Sequence, residues 1–557
     1  MILDLNNLSI NQLNKFKKLS IDIQLDFNNL INQIQENNKG LVYMLTNVCS
    51  RNNYQSDLYL NCVKALFIDQ EIKNNTKISK VIVYNKTLYF HLKKSISHIL
   101  ISYKKNKKDI ETNFFFKPYF NLIKIFRNVI ILLFTKNSKR NKKIINSKYV
   151  YIIDTFFIKN TISNKKYIDR YYNNLLSFCS ESTKEKIFFC PTIIPKFNSK
   201  ILTNIQNKSV ENIIYKHDFL QLTDYLKSLS QIFKQNLKGN NFFLRNIDVS
   251  ELISRTHRLN KYNYITYDAL LNYHFVNRLQ KTNIIVKTFI DWNENQSIDK
   301  GLIKGFRDFY PTTKIKSYQG MILSYDFNFH LCPTDKEIDN GVIADEIIVI
   351  GKKLISKIKK FSSNISVSSG PAFRFQGLFN LKHDLIQNQN ILVILPIEID
   401  ETIKIINLLD KIVLELSLKP NQIKFKLHPT NDLFMISDKI LSRQNYEFVD
   451  GNLSSIISSY SLIIGNSSSA LMESLLYAVP VVVLPSFSGL SHNPIPTEID
   501  NKIWSLCENE YDIHQSINRF LNMNLSDKLK LKKISKQIKI DYFAEPTTNN
   551  VNFFLND

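Results

Sequence analysis

Apolar and polar positions change rhythm twice along the chain. Over residues 1–140 the spacing is mostly helical, broken by one compact run, Val81-Ile-Val-Tyr84, that reads as a strand. From Tyr149 solid apolar runs appear: Val150-Tyr-Ile-Ile153 and Ile187-Phe-Phe-Cys190 have the length and the β-branched or aromatic content of buried strands. Residues 208–281 return to helical spacing. An α/β unit follows, with a strand over 284–290, a helix over about 297–309 and a strand over 314–318.

The alternation is clearest in the last third. Strands are expected at 347–350, 391–395, 423–427, 448–449, 462–464 and 481–484, with helices over about 400–418, 453–459 and 469–478. Strands alternating with helices imply a parallel sheet covered on both faces, here without a GxGxxG turn. The expected fold class is α/β with two Rossmann-like domains. Their expected limits are 149–345 for the first and 346–525 for the second. Residues 1–148 form an N-terminal extension or part of the first domain, and 526–557 a basic helical tail able to pack back on it. In such sheets ligands bind where strand ends feed loops and helix N-termini, so the polar residues there are the candidates.

Composition narrows the class without choosing a function. The chain has 557 residues, 44% hydrophobic and 22% charged, an ordinary globular mixture. With 12 Gly and 14 Pro it is neither collagen-like nor a Pro-rich linker. Its six cysteines show no CxxC spacing, so neither a zinc site nor a disulfide framework is suggested. The N-terminus lacks an apolar signal region, and Val129-Ile-Ile-Leu-Leu-Phe134 is far shorter than the roughly 20 residues of a membrane span. The expectation is a cytoplasmic protein with reduced thiols.

Charge adds one regional feature. The net charge is +24, and residues 93–148 hold 15 Lys/Arg against Asp109 and Glu111. Phe114-Phe-Phe116, Tyr119, Phe120 and the run ending at Phe134 lie among these cations. A basic segment with an apolar stripe fits an anionic membrane surface, making the protein peripheral on the inner face of the membrane. It also fits phosphate neutralisation with base stacking, but no nucleic-acid module accompanies it. A solvated loop beside a buried helix is the plain alternative.

Several strand ends carry candidate chemistry. In Leu462-Ile-Ile-Gly-Asn-Ser-Ser-Ser-Ala-Leu-Met-Glu-Ser474 a strand ends in Gly and three serines precede a helix. Unpaired N–H groups and the hydroxyls of Ser467, Ser468 and Ser469 would hold a phosphate, although one serine alone would serve as an N-cap. Glu473, a turn further on, suits a ribose or neighbouring backbone. Lys426-Leu-His-Pro429 ends another strand, with Pro429 biasing His428 towards an extended, cleft-facing conformation or simply a structural one. Arg374, in Ser369-Gly-Pro-Ala-Phe-Arg374, suits a phosphate or sugar carboxylate, or plain solvation. In Asp291-Trp-Asn-Glu-Asn-Gln296, Asp291 and Glu294 are carboxylates at the mouth of the first domain, available as general base or acid. Local pairing by Asp291 and helix capping by Asn295 or Ser297 is the competing account. Gln296 joins this loop as a sugar contact, as do His492 and Asn493 in Gly489-Leu-Ser-His-Asn-Pro494.

Lys426-Leu-His-Pro429, Gly465-Asn-Ser-Ser-Ser-Ala-Leu-Met-Glu473 and Ala478-Val-Pro-Val-Val-Val-Leu-Pro485 together resemble the C-terminal half of GT-B glycosyltransferases. The His-Pro and serine elements are similar to transferases using CMP-activated acidic sugars (Kdo and sialic acids) and to teichoic-acid glycerophosphotransferases. The 291–296 stretch, Tyr318-Gln-Gly320 and Gly370-Pro-Ala-Phe-Arg-Phe375 look like bacterial surface-carbohydrate biosynthesis proteins of capsule and lipopolysaccharide. The resemblance covers about residues 150–500. It implies two parallel-sheet domains facing a cleft, a nucleotide-sugar substrate with a CMP-linked donor favoured, a glycan or lipid-linked acceptor, and no metal or other cofactor. It places His428 and Pro429 on the nucleotide, Ser467–Ser469 on its phosphate, and Glu294 or Asp291 by the acceptor or anomeric carbon. Where the family often has Gly before the Pro, this chain has Ala478-Val479. A nucleotide-sugar 2-epimerase, a polyol-phosphate transferase and a non-catalytic scaffold are the rival readings.

Overall fold

Buried apolar runs become parallel strands that sort into three sheets, beside two short antiparallel pairs, Ile162–Ser163 with Lys166–Tyr167 and Phe243–Leu244 with Ile247–Asp248. The computed structural model describes residues 1–105, 117–136, 142–145, 147–157, 162–163, 166–167, 169–193, 212–239, 241–381, 388–416, 418–428, 431, 447–451, 453–485, 490 and 492–556. Strands β1 (Ile2–Asp4), β2 (Lys80–Val83) and β3 (Leu100–Tyr103) form a small parallel sheet in that order. The helices Ile10–Asp22, Gln24–Asn37, Leu58–Asn74 and Lys86–Ser95 accompany it around a core containing Phe16, Phe27, Tyr59 and Phe67. Residues 1–103 are thus an α/β unit with a sheet of their own.

This unit is pinned to the first large domain by buried charge. Arg51 meets Glu337 at 2.5 Å and Lys300 meets the same carboxylate at 2.6 Å, all three at most 3% exposed as side chains. Burial alone would raise the Glu337 carboxyl, but Arg51 and Lys300 outweigh it and hold it at about 2. Glu337 is therefore fully ionised near neutral pH.

The first large sheet contains β4 (Val150–Phe157), β5 (Ile187–Ile193), β6 (Val286–Trp292), β7 (Lys314–Gln319), β8 (Glu346–Val349) and β9 (Ser366–Ser369). Its order is β9-β8-β7-β6-β4-β5, all parallel, so the direction of winding reverses between β4 and β6. The second contains β10 (Ile391–Ile394), β11 (Ile423–Lys426), β12 (Glu447–Phe448), β13 (Leu462–Gly465), β14 (Val481–Val483) and β15 (Trp504–Leu506). The order β12-β11-β10-β13-β14-β15 is the doubly wound 3-2-1-4-5-6 pattern, with its switch point between β10 and β13.

Three expectations are corrected. The boundary expected at 345/346 lies later, between Ser369 and Ile391, because β8 pairs with β7 and β9 with β8. An apolar run identifies a strand but not the sheet that accepts it. The strand expected at 284–290 runs from Val286 to Trp292, so Asp291 and Trp292 are strand residues rather than loop residues. Ser317 lies opposite Asp291 in register and donates to its Oδ2 at 3.0 Å, which accommodates the carboxyl inside the sheet. The helix expected over 469–478 is only Ala470–Leu475, and Ala478 adopts φ +58°. That left-handed residue explains why glycine suits the position before the Val479-Pro480 turn.

The tail returns to the first domain. In the Leu525–Tyr542 helix Ser535 donates to the Leu476 carbonyl, and beyond it Ala544 N–H reaches Ile350 O at 2.6 Å. The final helix, Thr548–Asn556, seats Phe554 among Tyr172, Tyr318 and Phe373, while Thr288 donates to Leu555 O at 2.8 Å. Two Rossmann-like sheets joined by a crossing C-terminal helix constitute a GT-B-like architecture.

Candidate active site between the two large sheets

At the first switch point β4 and β6 pair in parallel with Ile153 opposite Ile290, which brings the next residues, Asp154 and Asp291, close together. Asp299, in the first turn of the Ser297–Phe309 helix, completes a trio whose carboxylate oxygens lie within 4.8 Å of one another. All three residues are at most 2% exposed. Burial, reinforced by their mutual repulsion, pushes each well above the usual carboxylate range. Among the described residues, one oxygen each of Asp154 and Asp291 has no hydrogen-bond partner. Among the described residues this is the one group of three acidic, Cys or His side chains close enough to share an ion. The dry interior and the closeness of the three groups favour the protonated form, and the trio is closed to solvent. Asp291 therefore does not stand at the domain mouth as expected.

Glu294 does stand there. Trp292 is fully buried, packed edge-on against Tyr171 at 4.5 Å, and its indole N–H donates to Glu294 Oε1 at 3.1 Å. The Gln296 amide donates to the other carboxylate oxygen. Asp299 Oδ2 accepts from the backbone N–H groups of Glu294 and Gln296, at 3.1 and 2.9 Å, so the buried acid braces the loop. Asn295 turns the chain at φ +46° and donates to His330 O at 2.6 Å. The helix cap is Gln296 with Asp299, rather than Asn295 or Ser297. Burial raises the Glu294 carboxyl, while the bonds from Trp292 and Gln296 and the charge of Arg374 oppose the shift. Together these leave a carboxylate that is held in place and more basic than usual.

Arg374 sits in the Phe373–Asn380 turn of 3-10 helix that follows β9. Phe373 anchors it, with its N–H on the Tyr318 hydroxyl and its ring against Phe554. The guanidinium lies over the Tyr171 ring at 5.9 Å and, among the described residues, has no ion pair. Burial and the nearby charge of Arg170 lower its pKa. Its field reaches both Glu294 in the first domain and Glu473 in the second, whose carboxyl burial raises. Arg170 in turn acts on His428, which burial keeps neutral. Glu294, Arg374, Glu473 and His428 therefore belong to one electrostatic neighbourhood.

The second switch point is polar and partly open. Asn466 donates to Glu401 Oε2 at 2.8 Å across it, and Ser467 donates to Asn466 Oδ1. Ser468 Oγ accepts from Ala470 N–H at 3.2 Å, so this serine does cap the short helix, while Ser469 makes no side-chain cap bond. Ser467, Ser468 and Ser469 are all partly exposed. Asn431 ties the His428 loop to the Pro396–Ile397 loop beside it, donating to both of those carbonyls and to His428 O. Pro429 lies outside the described residues.

His492 and Asn493 fall beside this group rather than in it. His492 stacks on Phe327 at 4.0 Å, and burial lowers its imidazole to about 4. Asn493 spends its amide on the backbone of Ile495, at 2.9 Å in both directions. Gln296 lines a cavity of about 350 Å³ with Glu294, Tyr171, Phe156, Tyr264 and Ile265.

Two residues of the N-terminal unit also enter the cleft. Tyr54 packs edge-on against Phe327 at 5.0 Å yet remains 61% exposed, so one ring face is free. Its hydroxyl is raised by crowding of its surroundings and by the nearby carboxylates of Glu398, Glu294 and Glu401. Tyr54 therefore faces carboxylates of both large domains. Gln55 donates to Gln296 Oε1 at 2.8 Å. The signal for these residues is faint: the polar stretch Ser50-Arg-Asn-Asn-Tyr-Gln-Ser56 lies between helical patterns, and loops on a rigid scaffold carry function.

Comparison with known proteins gives shapes and no family. No family model matches the chain, and no curated protein matches it. Among solved structures, S. aureus MnaA in complex with UDP is 12% identical with a TM-score of 0.42, over 73% of this chain and 97% of that one. A putative UDP-N-acetylglucosamine 2-epimerase from Listeria monocytogenes gives 10%, 0.41, 73% and 95%. A trehalose 6-phosphate synthase from Burkholderia multivorans gives 8%, 0.40, 71% and 96%. At such identities and scores the functional reading rests on this chain's own residues.

Proposed function

We propose that this protein is a glycosyltransferase that moves a sugar from a nucleotide donor to a growing bacterial surface polysaccharide or lipid-linked glycan. The observation that carries the reading is Arg374: a guanidinium with no ion pair among the described residues, placed between a raised carboxylate of one domain and the serine loop's Glu473. A partly buried cation without an ion pair in that position calls for an anion, and a sugar nucleotide brings one as its phosphate.

In this reading the donor phosphate lies against Arg374 and Arg170, with Ser467 and Ser469 offering hydroxyls. The six-residue helix behind them adds a weaker dipole than a long helix would. Neutral His428 contacts the nucleoside by hydrogen bonding rather than by charge. As the glycosidic bond breaks, negative charge grows on the departing phosphate, and the arginines stabilise it. Glu294, held by Trp292 and Gln296, takes the acceptor hydroxyl's proton, and burial makes it a stronger base than an ordinary glutamate. A CMP-linked acidic sugar is the favoured donor. The His428 and serine elements support it by resemblance, and a second arginine suits the sugar's own carboxylate.

The test is calorimetric titration with CMP, CDP, UMP, UDP and GDP of the wild type, Arg374→Ala and His428→Ala, followed by product analysis with and without acceptor. One nucleotide that binds the wild type and is weakened by both substitutions supports the reading. Conversion of the free nucleotide sugar without acceptor would replace it with an epimerase, and use of CDP-glycerol with a polyol-phosphate transferase. No nucleotide binding at all would leave a scaffold.

A further inference from the structure

The Lys117–Thr135 helix is packed on one side only. Ile125, Asn128 and Leu132 are buried, Ile125 within the first domain's core, and Asn121 donates to Lys261 O at 3.1 Å. On the other side Tyr119, Phe120, Ile123, Phe126, Ile130 and Leu133 are exposed by 37% to 63%. At the helical repeat, Tyr119, Ile123, Phe126, Ile130 and Leu133 fall within an arc of about 80°. Lys124 and Arg127 are exposed on the same helix, and residues 93–148 carry 15 basic against two acidic side chains. A continuous apolar stripe left in water marks an interaction surface.

We propose that this helix lies in the surface of an anionic lipid bilayer, with the stripe among the acyl chains and the surrounding cations on lipid phosphates. Charge selects this occupant. A second copy of the chain would bring the same positive excess to the contact. Single-stranded nucleic acid stacks on aromatic faces, whereas three of the five aligned residues are aliphatic. No helix among the described residues is long and apolar enough to cross a membrane, and the charge pattern is that of a helix lying in the interface.

The placement also orients the cleft. Tyr264, a neighbour of Asn128 on the docking helix, lines the cavity of about 350 Å³ that reaches Glu294. Bilayer docking would bring that cavity, with its Phe156, Ile193 and Ile265 walls, close to a lipid-linked acceptor; this last step rests on the transferase reading, while docking does not.

The experiment is cosedimentation of the full chain with vesicles of phosphatidylcholine alone or with 30% phosphatidylglycerol, for the wild type and Phe126→Glu/Ile130→Glu. Binding is expected to be at least about tenfold tighter to the anionic vesicles and to weaken with salt. The double variant, altered only at exposed positions, is expected to lose at least about tenfold while melting as the wild type does. An Ile123→Trp probe should shift to the blue on the same vesicles. Equal binding to both vesicle types, or anionic binding that survives the double substitution, overturns the proposal. So does a solution dimer that the substitutions dissolve without vesicle affinity, or single-stranded DNA binding in place of vesicle binding. Nucleotide titration of the same samples reports separately on the transferase reading.

Discussion

At the switch point of the first sheet, β4 and β6 carry Asp154 and Asp291 side by side, sealed from water and joined by Asp299. At that of the second, β13 ends in Gly465 and passes into Asn466 and three partly exposed serines. One topological position thus has two chemistries. Carboxyls without solvent are pushed towards the protonated form and serve as packing and loop-bracing groups; partly exposed hydroxyls can exchange water for an anion. In the first domain the chemistry has moved outward along the same loop to Glu294, which Asp299 supports through two backbone N–H groups.

The most direct way to break this contrast is Glu294→Gln. The amide oxygen still accepts from the Trp292 indole, so the loop should persist. Turnover is expected to fall by about 10²–10⁴, the usual value of a positioned general base, with nucleotide affinity nearly unchanged. A turnover within tenfold of wild type would remove Glu294 from the chemistry. In the pH profile of kcat/KM, the acidic limb should lie above that of an ordinary glutamate, because burial raises this carboxyl. Arg374 opposes that rise, so Arg374→Ala should move the limb further up.

Arg374→Ala comes second. Loss of a partly buried guanidinium that contacts phosphate should weaken nucleotide binding by about 10–100-fold by calorimetry, and Arg374→Lys should recover only part of it. Ser468→Ala is smaller. Its oxygen already accepts from Ala470 N–H, so the expected result is about 3–10-fold weaker nucleotide binding together with about 1 kcal/mol lost as a helix cap. If Ser468→Ala matched Arg374→Ala, the serine loop rather than the arginine would dominate anion binding.

How much of this was legible in the chain follows the same contrast. The parallel α/β texture and the Gly465–Glu473 loop show in sequence because both are local: a solid apolar run, then Gly and serines at a helix start. The partners of β8 and β9 do not show, since Ile347-Ile-Val-Ile350 reads the same whichever sheet receives it. The Asp154–Asp291 pair is equally hidden, because its two members lie 137 positions apart and meet only through the β4–β6 register. Asp291 and Glu294 looked alike as neighbouring carboxylates; a two-residue shift of β6 separates a sealed acid from an accessible one. Tyr54 and Gln55 reach the cleft because the N-terminal unit docks on the first large domain, through Arg51, Glu337 and Lys300 and through a shared apolar core that includes Phe327 and Phe329.

The finest test of the contrast is Asp291→Asn, which changes one proton-holding group and little else. The trio titrates together, so the expectation concerns stability as a function of pH rather than one site's value. In the folded state Asp291 binds its proton more tightly than in the unfolded chain. Its contribution to stability is therefore fully present below the unfolded value of about 3.9 and is lost as pH rises through the raised folded value. Asparagine cannot ionise and still accepts from Ser317 Oγ. The variant should melt close to wild type at pH 5 and progressively above it towards pH 9, by an amount on the order of 1 kcal/mol, or a few degrees. Its turnover should stay within about twofold of wild type, since the group touches no substrate. A loss of turnover as deep as that of Glu294→Gln would mean the first switch point takes part in the chemistry after all, and that the two sheets are used alike.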